Sequence, residues 1–117
     1  FKEGVSGSRT DLWIQAIDNS SSILTLCIEV KCNWNESAQN ALKNQLIDKY
    51  MSSGTATAGI LLLGWFACNR WDKNDSRCAK STSTWQNAED ALTDLENQAN
   101  QQSGKNVRVV VIDCTLR

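Results

Sequence analysis

The chain has 117 residues, with 12 Lys plus Arg against 13 Asp plus Glu, no histidine and no proline, for a formal net charge of −1. That length makes one domain, able to bury about two thirds of its unfolded surface. The near-neutral balance excludes a binder that grips nucleic acid through an overall basic surface, and no unbroken apolar run, Ile60–Leu63 included, exceeds four residues, far too short to span a bilayer.

In chain order, Asp11–Ile17 (DLWIQAI) alternates loosely and meets the turn-rich cluster Asp18-Asn19-Ser20-Ser21. Ile23–Lys31 follows, so the two runs are predicted to form an antiparallel hairpin. On the second strand Leu24, Leu26, Ile28 and Val30 share one face, while Thr25, Cys27, Glu29 and Lys31 share the other. Asn35 is placed as an N-cap with Glu36 in the first turn. Ala38, Ala41, Leu42, Leu46 and Lys49-Tyr50 then repeat at helical spacing, which predicts a helix over Glu36–Ser52, stopped by Gly54. Ala58–Phe66 (AGILLLGWF) is the continuous apolar run of a strand buried on both faces in a parallel sheet. Cys68–Ser81 reads as an irregular loop. Ser83-Thr84-Trp85-Gln86 fits a capping box, and Trp85, Ala88, Leu92, Leu95 and Ala99 then line one helical face up to Ser103-Gly104. Val107–Asp113 is the last strand. The order β-β-α-β-α-β predicts an α/β fold, a mixed sheet with helices against it.

Five cysteines at positions 27, 32, 68, 78 and 114 include no CxxC pair, so neither a zinc site nor a disulfide framework is expected. A Cys68–Cys78 bridge is conceivable, but reduced thiols are the expectation for a cytoplasmic chain without a signal peptide. The chain opens at Phe1 rather than methionine and reads as a segment of a larger protein.

Asp11 opens one strand of the hairpin and Glu29 closes the other, so antiparallel pairing brings two carboxylates to one end of the sheet. Mg²⁺ takes hard oxygen ligands and keeps several waters, so two carboxylates, a backbone carbonyl near Val30 and a substrate phosphate suffice. Lys31 beside them could orient or help deprotonate an attacking water and offset charge developing on phosphorus. A strand ending Glu-x-Lys is also, and more commonly, just a surface ion pair worth about 0–1 kcal/mol.

Thr10-Asp11, the eighteen-residue step to Glu29 and the triplet Glu29-Val30-Lys31 together resemble the PD-(D/E)XK nuclease superfamily, which includes restriction endonucleases and junction resolvases. The resemblance covers roughly residues 10–66. It implies a restriction endonuclease-like fold, hydrolysis of phosphodiester bonds in DNA (RNA is not excluded), Mg²⁺ as cofactor with Mn²⁺ as a substitute, and catalytic roles for Asp11, Glu29 and Lys31. Gln45 on the following helix, with Tyr50 five residues on, is similar to a glutamine that many members carry there. Thr10 stands where the family has proline, and the family's first helix would precede Phe1. The expected setting is the effector domain of a larger defence or restriction-type protein, with the parent's other domains as partners, a homodimer allowed and no membrane association.

Among five tryptophans, Trp85 and Trp65 are expected in the core. Trp34 and Trp71, the latter beside Arg70, Lys73 and Arg77, are read first as covers for sheet edges and second as base-stacking groups. Lys43 and Lys49 are read as solvated helix charges. Two other functions compete: a catalytically inactive module of the same fold that docks nucleic acid or protein, and an unrelated α/β sensor domain in which Glu29–Lys31 is purely structural.

Overall fold

The computed structural model describes residues 12–51, 56–82, 84–102 and 105–115, apart from the side chains of Lys49 and Tyr50. Asp11, Gly54, Ser83 and Ser103-Gly104 therefore lie outside the described residues. Four strands, β1 (Leu12–Ile17), β2 (Ile23–Cys32), β3 (Ala58–Trp65) and β4 (Val107–Asp113), form one sheet in the order β1-β2-β3-β4. β1 and β2 are antiparallel, with Leu12 opposite Ile28 and Ile17 opposite Ile23. β3 runs parallel to β2, and β4 parallel to β3. This is the predicted α/β class with a mixed sheet. No helix among the described residues is long and apolar enough to cross a membrane.

The hairpin turn is built by Asp18. Its Oδ1 accepts from the backbone N–H of Ser20 and of Ser22, each at 2.9 Å, and from Ser20 Oγ at 2.7 Å. These bonds, the Ser20 hydroxyl first, hold the Asp18 carboxyl below its ordinary range. Ser21 takes the left-handed conformation at φ 65°, which lets so short a loop close.

The segment after β2 departs from the expected α-helix. Asn35 is not its N-cap: it closes a turn ahead of it, accepting at Oδ1 from Ser37 N and Ser37 Oγ at 2.9 and 2.7 Å, and Ser37 takes the N-cap position without a side-chain cap bond. A 3-10 turn (Ala38–Asn40) follows, and Leu42–Met51 is then wound as a π-helix. The pattern of apolar residues explains the wider winding. At about 100° per residue an α-helix would put Met51 about 180° away from Leu42. Bonding from i to i+5 lengthens each turn to between four and five residues. Leu42, Leu46, Ile47 and Met51 then face the sheet together, and all four are buried.

The Cys68–Ser81 loop contains a short helix, α1 (Ser76–Lys80), capped by Asp75. Helix α2 (Ala88–Asn100) starts later than the capping box suggested. Its N-cap is Asn87, whose Oδ1 accepts from Asp90 N at 2.8 Å. Trp85 precedes the helix and still enters the core, donating from Nε1 to Asp94 Oδ2 at 2.9 Å.

The π-helix and α2 pack on the same face of the sheet, because the crossovers β2–β3 and β3–β4 step in the same direction and almost all such crossovers are right-handed. Leu42, Leu46, Ala91 and Leu95 meet Cys27, Leu61, Leu63 and Trp65 in one core. On β2 the buried positions are therefore Thr25, Cys27 and Glu29, while Leu24 and Val30 on the opposite face are exposed. The more apolar face of β2 is thus the open one, and the packed face is the one with the charges. The helices cover the face that carries them.

Two strand glycines test this packing. A Cβ on Gly59 would lie 2.8 Å from Leu46 Cγ and 2.9 Å from Met51 Sδ, inside the core, whereas one on Gly64 would meet the end of the Phe66 ring, 2.7 Å from Cε2. Gly59→Ala is expected to lower unfolding free energy by about 1–3 kcal/mol, as overpacking does. Gly64→Ala should cost less, because the half-buried Phe66 ring can turn aside. Urea denaturation of both variants measures the difference.

Candidate functional site

Glu29 and Lys31 lie on the helix-covered face of β2, two residues apart, with Leu61 and Leu63 beside them on β3. Lys31 Nζ is 3.7 Å from Glu29 Oε1, and the two side chains are 14% and 7% exposed. Glu29 Oε2 is sealed from solvent. A pair this buried differs in kind from the exposed pair Lys43–Asp48, which is 3.1 Å apart but 62% and 50% exposed. Desolvation penalises each buried charge by several kcal/mol unless it is matched, so each depends on the other. The alternation of β2 brings them to one side, and the helices then close over that side.

The remaining predicted site residues are placed as follows. Val30 points its side chain to the opposite, open face. Gln45 is half-buried on the π-helix. Asp11 lies outside the described residues, and its sequence neighbour Leu12 sits opposite Ile28, one residue from Glu29. Among the described residues no three His, Cys, Asp or Glu side chains are grouped to hold a metal ion. Glu29 suits a hard divalent cation as a carboxylate donor, but the described residues do not by themselves complete a cation site.

The carboxyl ends of β2 and β3 are tied by Asn33, a residue the sequence did not single out. Its Nδ2 donates to Ser81 O at 2.6 Å, and its Oδ1 accepts from Phe66 N at 3.0 Å. The only hint was an amide directly after a strand, which is also what an ordinary turn contains. Beyond it Trp34 packs against Phe66 (ring centroids 4.9 Å apart) and edge-on against Trp71 (5.6 Å). The Arg77 guanidinium lies 5.3 Å from the Trp34 ring centroid and is clamped by Asp75, with Nη2 2.6 Å from Oδ2. These Arg77 bonds hold the Asp75 carboxyl well below the usual carboxylate range. Trp34 and Trp71 thus support one another beyond the carboxyl ends of the interior strands β2 and β3. No disulfide joins any of the five cysteines, Cys68 and Cys78 included. Burial pushes the Cys32 thiol up, with nearby Cys114 adding to the shift and Arg77 opposing it.

No family model, curated protein or solved structure matches this chain.

A double-mutant cycle on Lys31→Met and Glu29→Leu should give a coupling of at least about 1 kcal/mol in chemical unfolding, since breaking a buried pair strands a charge. The same cycle on Lys43 and Asp48 should give at most about 0.5 kcal/mol, the value for exposed helix pairs.

Proposed function

We propose that this chain is a metal-dependent endonuclease domain of the restriction endonuclease-like type, hydrolysing phosphodiester bonds in DNA. The observation that carries this reading is the Glu29–Lys31 pair, side by side at 3.7 Å on a strand flanked by an antiparallel and a parallel neighbour. The hairpin–helix–parallel strand order around it is the frame that the sequence resemblance implies. Glu29 and Asp11 would hold a divalent cation, with the Val30 carbonyl as a further donor. When bound, Mg²⁺ lowers the pKa of its water and polarises phosphoryl oxygens. Lys31, kept beside Glu29, would orient the attacking water and offset negative charge developing on the phosphate. Gln45 would help position that water from the π-helix. A chain without histidine has to run this hydrolysis on carboxylates, an ammonium and solvent. An effector role in a larger defence or restriction-type protein, in the cytoplasm, belongs to the same proposal.

A second reading keeps the fold without the chemistry, as a docking module. It is favoured by one observation, the burial of Glu29 to 5% exposure beneath the helices. A substrate phosphate meets almost no exposed surface on so covered a carboxylate.

Plasmid cleavage in Mg²⁺ or Mn²⁺ separates the two. Nicking by the wild type is expected, with Lys31→Ala and Glu29→Gln each lowering the rate at least about 100-fold, the scale of losing one preorganised electrostatic group. Circular dichroism checks that both variants fold. Absence of metal-dependent cleavage of DNA and RNA by the folded wild type would turn the assignment to the docking module.

A further inference from the structure

Between β3 and α2 the chain leaves the sheet at Phe66 and comes back to it at Ser81, and one side chain holds both ends. Asn33 accepts at Oδ1 from Phe66 N and donates from Nδ2 to Ser81 O, so its amide joins the first and last residues of this strap. Asn33 is 4% and Ser81 6% exposed, whereas every residue from Phe66 to Lys80 is half-buried or exposed. The strap is thus held by its ends rather than by a buried core of its own. Its further ties to the turn after β2 lie nearer the surface. Lys80 Nζ meets Glu36 Oε1 at 2.9 Å, with those side chains 50% and 80% exposed, and Arg77 and Trp71 pack on Trp34. On the side of β4, Thr115 Oγ1 donates to Ala67 O at 3.3 Å.

We propose that this strap is an autoinhibitory cover that closes the carboxyl-end approach to the Glu29–Lys31 pair, with Asn33 as its latch; this rests on the reading of that pair as a reactive site. The placement follows from the ladder. The N–H of Asn33 bonds Gly64 O at 3.1 Å, which extends the β2–β3 pairing by one step beyond Cys32. By strand alternation the Asn33 side chain then follows Lys31 on the helix-covered side, about 6.6 Å further along. The buried Asn33–Ser81 junction therefore stands one position beyond Lys31, whose side chain is 14% exposed.

The make-up of the strap is that of a segment which opens while the rest stays folded. Local opening is easiest where buried apolar contacts are few and the backbone is exposed. The strap touches the core through half-buried Ala67, while Cys27, Leu42, Leu46, Leu61 and Leu95 pack without it. Removing the Asn33 amide would leave the Ser81 carbonyl and the Phe66 N–H without that partner, so the closed form loses two hydrogen bonds together. The exposed Lys80–Glu36 pair adds a smaller, salt-screened share.

Amine acetylation of the 117-residue chain, read at each lysine by mass spectrometry, tests the proposal. In the wild type Lys31 should react well behind Lys43, whose side chain is 62% exposed. Asn33→Ala should raise the Lys31 rate by about tenfold or more, the scale of losing two hydrogen bonds from the closed form, and leave Lys43 unchanged. Lys80→Glu, at an exposed position facing Glu36, should raise it by about two- to fivefold. Alkylation of Cys27, fully buried in the core, reports global unfolding and should stay blocked in both variants. Lys31 labelling that neither variant raises, or that rises only in step with Cys27, would overturn the proposal. Labelling needs no cleavage, so a strap that fails this test and a nuclease reading that fails on plasmid DNA are told apart.

Discussion

The side of the sheet on which the two helices land governs the rest of this molecule. Successive parallel crossovers in one direction put the π-helix and α2 over the same face, and β2 carries Thr25, Cys27, Glu29 and Lys31 there. An ion pair that would be solvated on a bare sheet is thereby enclosed. The long apolar residues of β2, which look like core when read alone, are left outside. The enclosed pair and the open apolar face are two consequences of one topological choice.

Enclosure changes what Glu29 and Lys31 can do. In water such a pair contributes little, because solvent screens it and two long side chains lose freedom. Under the helices each charge is stabilised by the other beside it, and any developing or added charge nearby is felt more strongly. That makes the pair suited to stabilising a phosphate in transition, and equally suited to being a rigid structural link. What separates the roles is access from the end of the sheet, where Asn33 fixes β2 to β3 and to the end of α1.

Much of this was legible in the sequence. Alternation and turn residues placed β1 and β2, the continuous apolar run placed β3, and Val107–Asp113 was read with the bounds observed. Trp65 and Trp85 were read as core, and both are buried. Three features were not legible, each for a physical reason. Apolar spacing at Ala38, Ala41, Leu42 and Leu46 fits a helix without specifying its winding; only the demand that Met51 face the sheet together with Leu42 and Leu46 selects the wider turn. The true cap of α2, Asn87, competed with a better-looking box four residues earlier, and tertiary burial of Trp85 decided between them. The buried face of β2 could not be read from β2 itself, since the strand's more hydrophobic side is the exposed one; crossover geometry, a property of the whole chain, overrode local pattern.

The account stands or falls on whether Glu29 belongs to a divalent-cation site shared with Lys31. Paramagnetic broadening by substoichiometric Mn²⁺ in amide spectra of the folded chain asks this directly. The account predicts loss of signal centred on residues 28–31 of β2 and on Leu12 across from them, absent in Glu29→Gln. Broadening confined to surface carboxylates such as Asp48 or Asp72, or unchanged by Glu29→Gln, would contradict it and leave the pair as structure alone.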